Sequence, residues 1–255
     1  MRRAPGGAAM MNTANAETKP GLPGRDAAFF GTVALVFAVA AALTIYGCQS
    51  MTMPWMRMPG QTWLGVAAGF IGMWVAMMVA MMLPSQVPVL WRYRRALDLA
   101  GATRRVPLTT LVSVGYFVVW SAVGVAVFAL GVALAAIPVR PPAVGVVLLL
   151  GGLLQFSPWK AHHLACCRAG PEHDRNLPKT AGTAWRHGLR RGLHCSCCCA
   201  GPTTVFLAVG VMNLRAMVLV MLAITAERLA PGGERVARAI GMACIVAGLV
   251  LMARA

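Results

Sequence analysis

Residues 62–83, TWLGVAAGFIGMWVAMMVAMML, form an apolar run without a charged residue that ends just before Pro84. A helix needs about 20 such residues to cross the hydrocarbon core of a bilayer. This run therefore predicts a membrane-spanning helix, and similar runs recur along the chain. Of the 255 residues, 58% are hydrophobic and only 12% are charged. That composition is typical of a polytopic membrane protein rather than of a water-soluble domain.

The apolar runs predict an all-α, polytopic transmembrane helix bundle with about seven spans, or six if one of the short runs does not cross. They cover residues 28–48, 62–83, 108–137, 142–157, 196–212, 215–230 and 236–253. Residues 1–26 predict a disordered tail without a cleavable signal peptide, and residues 27–255 predict the transmembrane domain. A basic loop that contains His and Cys, residues 158–194, interrupts this domain.

The distribution of basic residues predicts the orientation. Of the 23 Lys and Arg residues, 19 lie in the tail, after the second run, after the fourth run and around residue 231, which leaves four for the other side. Cytoplasmic loops carry the excess of Lys and Arg, so the N-terminus is expected in the cytoplasm and the C-terminus outside. The formal net charge of +16 could indicate nucleic-acid binding, but the basic residues separate apolar runs. We therefore expect a lipid bilayer and not nucleic acid as partner. The expected location is the bacterial inner membrane.

Three groups of sulfur and imidazole side chains are predicted to meet at the cytoplasmic ends of the spans. They are Met77, Met78, Met81 and Met82 in the second run; His162, His163, Cys166 and Cys167 in the loop; and His194, Cys195, Cys197, Cys198 and Cys199 at the start of the fifth run. Thiolate and thioether ligands favour Cu(I), and thiolate with imidazole also suits Zn(II). The sequence therefore predicts a soft-metal site, with Cu(I) ahead of Zn(II).

Helical spacing supports this prediction. Met77 and Met81 share one helix face, as do Cys195 and Cys199. If the segment after Pro158 is helical, His162 faces Cys166 and His163 faces Cys167. The basic pair Arg190 and Arg191, and a helix N-terminus at the cysteines, are expected to favour the thiolate form.

Other interpretations remain open at this point. Methionine is a common apolar filler, and the cysteines could serve thiol redox exchange or be incidental in a membrane scaffold that binds a partner. The isolated Cys48 and Cys244 are expected to be core residues. No carboxylate is predicted in the middle of a span, and the chain has no phosphate-binding loop. We therefore expect a protein that handles metal with a donor or client protein, and not an enzyme.

Several motifs resemble those of a family of predicted metal-binding integral membrane proteins, known only as a domain of unknown function. The matching segments are MWVAMMVAMMLPS at 73–85, QFSPWK at 155–160, HGLRRGLHC at 187–195, CC at 198–199, VGVMNL at 209–214 and ERLAP at 227–231. The resemblance covers roughly residues 62–252 and implies a metal-binding membrane protein. The chain departs from the family pattern at His194, Cys197 and Ala200, where Tyr, Gly and Trp are expected.

Overall fold

The computed structural model describes residues 23–50, 60–102, 104–135, 141–169, 178–206 and 210–254, and the regular elements of these ranges are helices. This confirms the all-α class. The helices are α1 (Pro23–Ser50), α2 (Trp63–Leu99), α3 (Arg105–Ala135), α4 (Pro141–Leu154), α5 (Pro158–Arg168), α6 (Ala181–Thr203), α7 (Leu214–Leu229) and α8 (Gly233–Ala253). Of the predicted tail, residues 1–22 lie outside the described residues, and residues 23–26 belong to α1.

Four helices in the described ranges are long and apolar enough to cross a membrane: α1, α2, α3 and α8. A fifth crossing is formed if α4 and α5, which meet at a bend of 63°, act as one broken span. The predicted count of about seven is not confirmed. The sixth predicted run corresponds to α7, which has only 16 residues.

Helix α2 does not stop before Pro84, where the second span was predicted to end. It continues through Pro84 and Pro88 to Leu99. A proline inside a helix removes one backbone hydrogen bond. Burial offsets this cost, because side chains on both sides of the prolines, including Leu83 and Leu90, lie in the protein interior.

Helix α6 corrects the prediction of a loop over residues 158–194 and of a fifth span that begins at residue 196. The helix begins at Ala181, behind a capping box on Thr180. Small residues such as Ala184 and Gly188 form its buried face, and basic residues such as Arg186 form its exposed face. Hydropathy missed this helix because alanine and glycine mark a packing surface only weakly.

Close helix contacts position the site. Helix α3 packs on α6, and α4 packs on α8. A Cβ atom on Gly188 would lie 2.4 Å from the carbonyl oxygen of Val112, so only glycine allows α6 to approach α3 this closely. By contact pattern the chain has two units, Met1–Val36 and Phe37–Ala255, and the site lies in the second.

Candidate metal site

Helix α6 presents three cysteines to the interior of the second unit. Cys195, Cys198 and Cys199 are at most 1% exposed and lie in one apolar cluster. Their spacing of three and four residues brings them to the same helix face. The Sγ atoms of Cys195 and Cys199 are 3.9 Å apart. One helix thus supplies three neighbouring thiols in a dry environment.

Helix α2 supplies thioethers to the same cluster. Met77, Met78, Met81 and Met82 are all buried. The Sδ atom of Met82 lies 3.9 Å from Cys195 Sγ. The structure therefore places Met82 in direct contact with a thiol.

Helix α5 adds a fourth thiol. Cys167 is buried in the same cluster. Its position is held by Arg191, whose Nη2 donates to the Cys167 carbonyl oxygen at 3.0 Å and whose Nη1 donates to that of Ala169 at 3.2 Å. We call Cys167, Cys195, Cys198, Cys199 and Met82 the thiol–thioether cluster.

A guanidinium lies among these sulfur atoms. Arg228 Nη2 is 2.7 Å from Cys195 Sγ, 3.4 Å from Cys199 Sγ and 3.8 Å from Cys167 Sγ. Its Nη1 donates to Ser85 Oγ at 3.1 Å. In the described part of the chain these partners are sulfur and hydroxyl groups rather than a carboxylate. Because an isolated buried charge is costly, a thiolate among the sulfurs is the counter-charge that this arrangement requires.

Tyr116 of α3 completes the surroundings of Cys195. Its hydroxyl oxygen lies 2.7 Å from the Sγ atom, with either group able to donate. Cys195 therefore contacts a phenol, a guanidinium, a thiol and a thioether, carried by four different helices. It is the best-connected sulfur of the cluster.

A buried ion pair between Lys160 and Glu227 contacts the backbone of the cluster at Cys198. Lys160 Nζ is 2.6 Å from Glu227 Oε2 and donates to the carbonyl oxygen of Cys198, also at 2.6 Å. Gln155 Nε2 donates to Glu227 Oε1 at 2.6 Å. Lys160 and Glu227 are 2% and 1% exposed. The pair joins α5, α6 and α7 through side chains that are almost completely buried.

The imidazoles lie apart from the thiols, in a half-exposed position between α5 and α6. The Nδ1 atoms of His163 and His194 are 2.9 Å apart. His162 Nε2 lies 3.7 Å from Cys166 Sγ, which confirms that this predicted pair shares a helix face. Burial lowers the pKa of His194, and the neighbouring His163 and His162 lower it further. The neutral ring has a lone pair available for a metal ion.

Comparison with known proteins places the chain in a family. A family model described as PpoB2, copper chaperone, matches residues 71–251. This chain belongs to the PpoB2 copper chaperone family. No curated protein and no solved structure matches the chain. Membership in a copper chaperone family agrees with the predicted metal-related family and with copper as the metal to be handled.

The three predicted groups of ligand residues do not converge on one point in the structure. The structure brings Met82 and four thiols together, and leaves His162, His163, His194 and Cys166 outside that cluster. Cys197 is half-buried and is not part of the apolar cluster. The sequence predicted that His163 faces Cys167. In the structure the His163 ring contacts His194 instead.

The described residues contain no group of three or more His, Cys, Asp or Glu side chains arranged so that it could hold a metal ion. The position of Arg228 gives a physical reason, because its Nη2 atom lies within 3.8 Å of three sulfurs.

The sequence prediction missed the polar groups around the sulfurs. Arg228 entered only as a basic residue near residue 231 and as part of the ERLAP motif, and Tyr116 is one aromatic residue within a long apolar run. The helix N-terminus invoked for the thiols is also wrong, since α6 begins at Ala181, 14 residues before Cys195. A Glu-Arg pair at the end of an apolar segment was the one available signal for Arg228.

Proposed function

We propose that this protein is an integral membrane protein that binds Cu(I) at the thiol–thioether cluster and passes it between a metal donor and a client protein, without catalysing a reaction. The observation that carries this proposal is the contact of Cys195 Sγ with Cys199 Sγ and Met82 Sδ, both at 3.9 Å. Family membership supports copper as the cargo.

The chemistry of the donor set favours Cu(I) over other metals. Thiolate and thioether are soft ligands, and Cu(I) is the soft ion of the common biological metals. Zn(II) is the second candidate, since it accepts several thiolates but prefers four strong ligands in a tetrahedron. Met82 would be a poor fourth ligand for Zn(II), and a suitable third one for Cu(I).

We place the protein in a bilayer, with the bacterial inner membrane as its location and the N-terminus in the cytoplasm. The four long apolar helices, or five with the bent pair, support this placement. The excess of Lys and Arg between the apolar runs supports the orientation. Five crossings and seven crossings both bring the C-terminus to the outer side.

Metal analysis of the detergent-purified protein tests the proposal. The wild type, loaded with Cu(I) under reducing conditions, is expected to retain one equivalent, and the Cys195→Ser, Cys198→Ser double variant to retain none. Cys244→Ser is the matched control, because Cys244 is also buried but lies in α8, outside the cluster. Copper retention in the double variant equal to that of the control would contradict the proposal. A wild type with oxidisable dithiols and no retained copper would favour the thiol redox function.

A further inference from the structure

Three helices extend well beyond the level of the sulfur cluster. Cys195 of α6 contacts Met82 of α2 and Tyr116 of α3, so these three residues lie at one level of the bundle. From that level α2 continues to Leu99, roughly 25 Å at 1.5 Å per residue. Helix α6 begins at Ala181, about 21 Å before Cys195, and α3 begins about 16 Å before Tyr116.

These extensions lie on the same side of the cluster. Gly188 and then Gly192 of α6 lie against successively later residues of α3, so the two helices run parallel and begin at the same end. The last part of α2 lies at this end too, because the Tyr93 hydroxyl donates to the Pro178 carbonyl oxygen at 2.6 Å, just before α6. We call residues 84–99, 104–115 and 178–194 the three-helix projection.

The projection is strongly basic. Its described residues include nine Lys and Arg side chains and a single carboxylate, Asp98, which already forms an ion pair with Arg105. Residues 170–177 add two carboxylates and one arginine by sequence, which leaves a large positive excess. Five of the cations are exposed: Arg95, Arg104, Lys179, Arg186 and Arg190.

The exposed cations place the projection outside the lipid. A charge that faces hydrocarbon is costly, so the part of α6 that carries Arg186 and Arg190 lies beyond the hydrocarbon core. The other three, Arg95, Arg104 and Lys179, lie roughly 18–24 Å from the level of the sulfur cluster. The headgroup layer adds only about 5–8 Å on each side of a bilayer. These three side chains, the tip of the projection, are therefore in water and out of reach of the headgroups.

Apolar side chains lie among the charges of the tip. Leu99, the last residue of α2, is 87% exposed, and Val106 in the first turn of α3 is 54% exposed. They flank the ion pair of Asp98 and Arg105 in sequence. An apolar centre with a charged rim is the usual composition of a surface that binds another protein.

We propose that the tip of the three-helix projection docks a protein whose surface carries carboxylates around an apolar patch, and that this protein exchanges copper with the thiol–thioether cluster. The second part rests on the proposed function, whereas the docking itself does not. A small domain is about 30 Å across, so a partner on the tip that leans along Arg186 and Arg190 extends to the level of the sulfurs. Attraction between opposite charges speeds the encounter of such partners.

Binding of a fluorescent peptide to the full-length protein in phosphatidylcholine nanodiscs tests the inference. The probe is a synthetic peptide of glutamate and leucine, and its affinity is measured by fluorescence anisotropy at physiological salt. The Arg95→Gln, Arg104→Gln, Lys179→Gln triple variant is expected to bind it about tenfold more weakly, since each exposed charge pair contributes modestly. Leu99→Ser should also weaken binding.

The matched control is the Arg215→Gln, Arg235→Gln, Arg254→Gln triple variant, which removes the same charge at exposed positions outside the projection. It should bind the peptide as the wild type does, and equal affinities of the tip and control variants would overturn the inference. Phosphatidylglycerol in the nanodisc should leave binding unchanged, because the tip lies more than a Debye length of about 8 Å from the bilayer. Displacement of the peptide by this lipid would instead assign the tip to anionic headgroups.

Cu(I) retention measured on the tip variant separates this inference from the proposed function. Full retention is expected, because the altered side chains are far from the sulfurs. A wild type that binds the peptide at the tip but retains no copper would contradict the proposed function and leave the docking site in place. A wild type that retains copper and binds the peptide no better than its glutamine counterpart would contradict the docking site alone.

Discussion

Arg228 Nη2 lies 2.7 Å from Cys195 Sγ. The contact connects the end of α7 to the middle of α6, and Nη1 of the same side chain extends to Ser85 of α2. Cu(I) with two thiolates carries a net charge of −1. In a buried site a nearby guanidinium balances that charge, and few other groups could do so.

We therefore expect Arg228→Met to lower the affinity for Cu(I) by about tenfold or more, which corresponds to about 1.4 kcal/mol. Arg228→Lys keeps the positive charge and should retain most of the affinity. The measurement is competition with a Cu(I) chelator in detergent. Equal affinities for the Met variant and the wild type would show that Arg228 does not balance the charge of the bound metal.

Met82 and Met81 are adjacent, equally apolar and both buried, and the Sδ atom of Met82 lies 3.9 Å from Cys195 Sγ. Met82→Leu should weaken Cu(I) binding by roughly tenfold, because a thioether ligand is lost at nearly constant volume. Met81→Leu is the matched control and should bind as the wild type does. The reverse order of the two affinities, from the same chelator competition, would assign the thioether ligand to Met81.

The buried pair of Lys160 and Glu227 predicts a strong dependence of stability on both partners. Lys160→Met leaves the Glu227 carboxylate buried without its cation and should cost about 3–5 kcal/mol. Addition of Glu227→Gln should recover part of the loss. Thermal unfolding in detergent measures both effects. Arg238→Met provides the control, since the Arg238–Glu234 pair is 3.8 Å long and exposed to solvent, and its loss should matter little.

Glycine at position 188 sets the distance between α3 and α6. Gly188→Ala should destabilise the protein by about 1–3 kcal/mol, because the new Cβ would collide with the backbone of Val112. The change should also reduce copper retention, since α6 carries the thiols. Gly182→Ala, in the same helix but with no atom within 4 Å of the added Cβ, should leave thermal stability unchanged or slightly higher. Similar melting temperatures for the two variants would show that the close approach at Gly188 does not support the fold.

Hydropathy was sufficient to predict the long apolar helices, since α1, α3 and α8 follow runs that nothing interrupts. It failed where packing outweighs local sequence. Pro84 suggested an end for α2, but burial on both sides carries the helix through it to Leu99. Gly188 and the neighbouring arginines suggested a loop, because a face of small residues packs closely without being strongly hydrophobic.

For the site, the sequence identified the sulfur donors but not their arrangement. Neighbouring residues on a helix point in directions about 100° apart. His194 and Cys195 therefore diverge, and the predicted single site becomes an inner cluster of sulfurs and an outer group of imidazoles. Arg228 could not be assigned from sequence, because its role depends on α7 packing beside α2 and α6.

X-ray absorption at the copper edge tests the central claim most directly. The protein loaded with one equivalent of Cu(I) should show only sulfur in the first coordination shell of the metal. Met82→Leu should lose the longest of the copper–sulfur distances, and His194→Ala should leave the spectrum unchanged. A first shell that contains imidazole nitrogen, and that changes in the His194 variant, would contradict the assignment of Cu(I) to the thiol–thioether cluster.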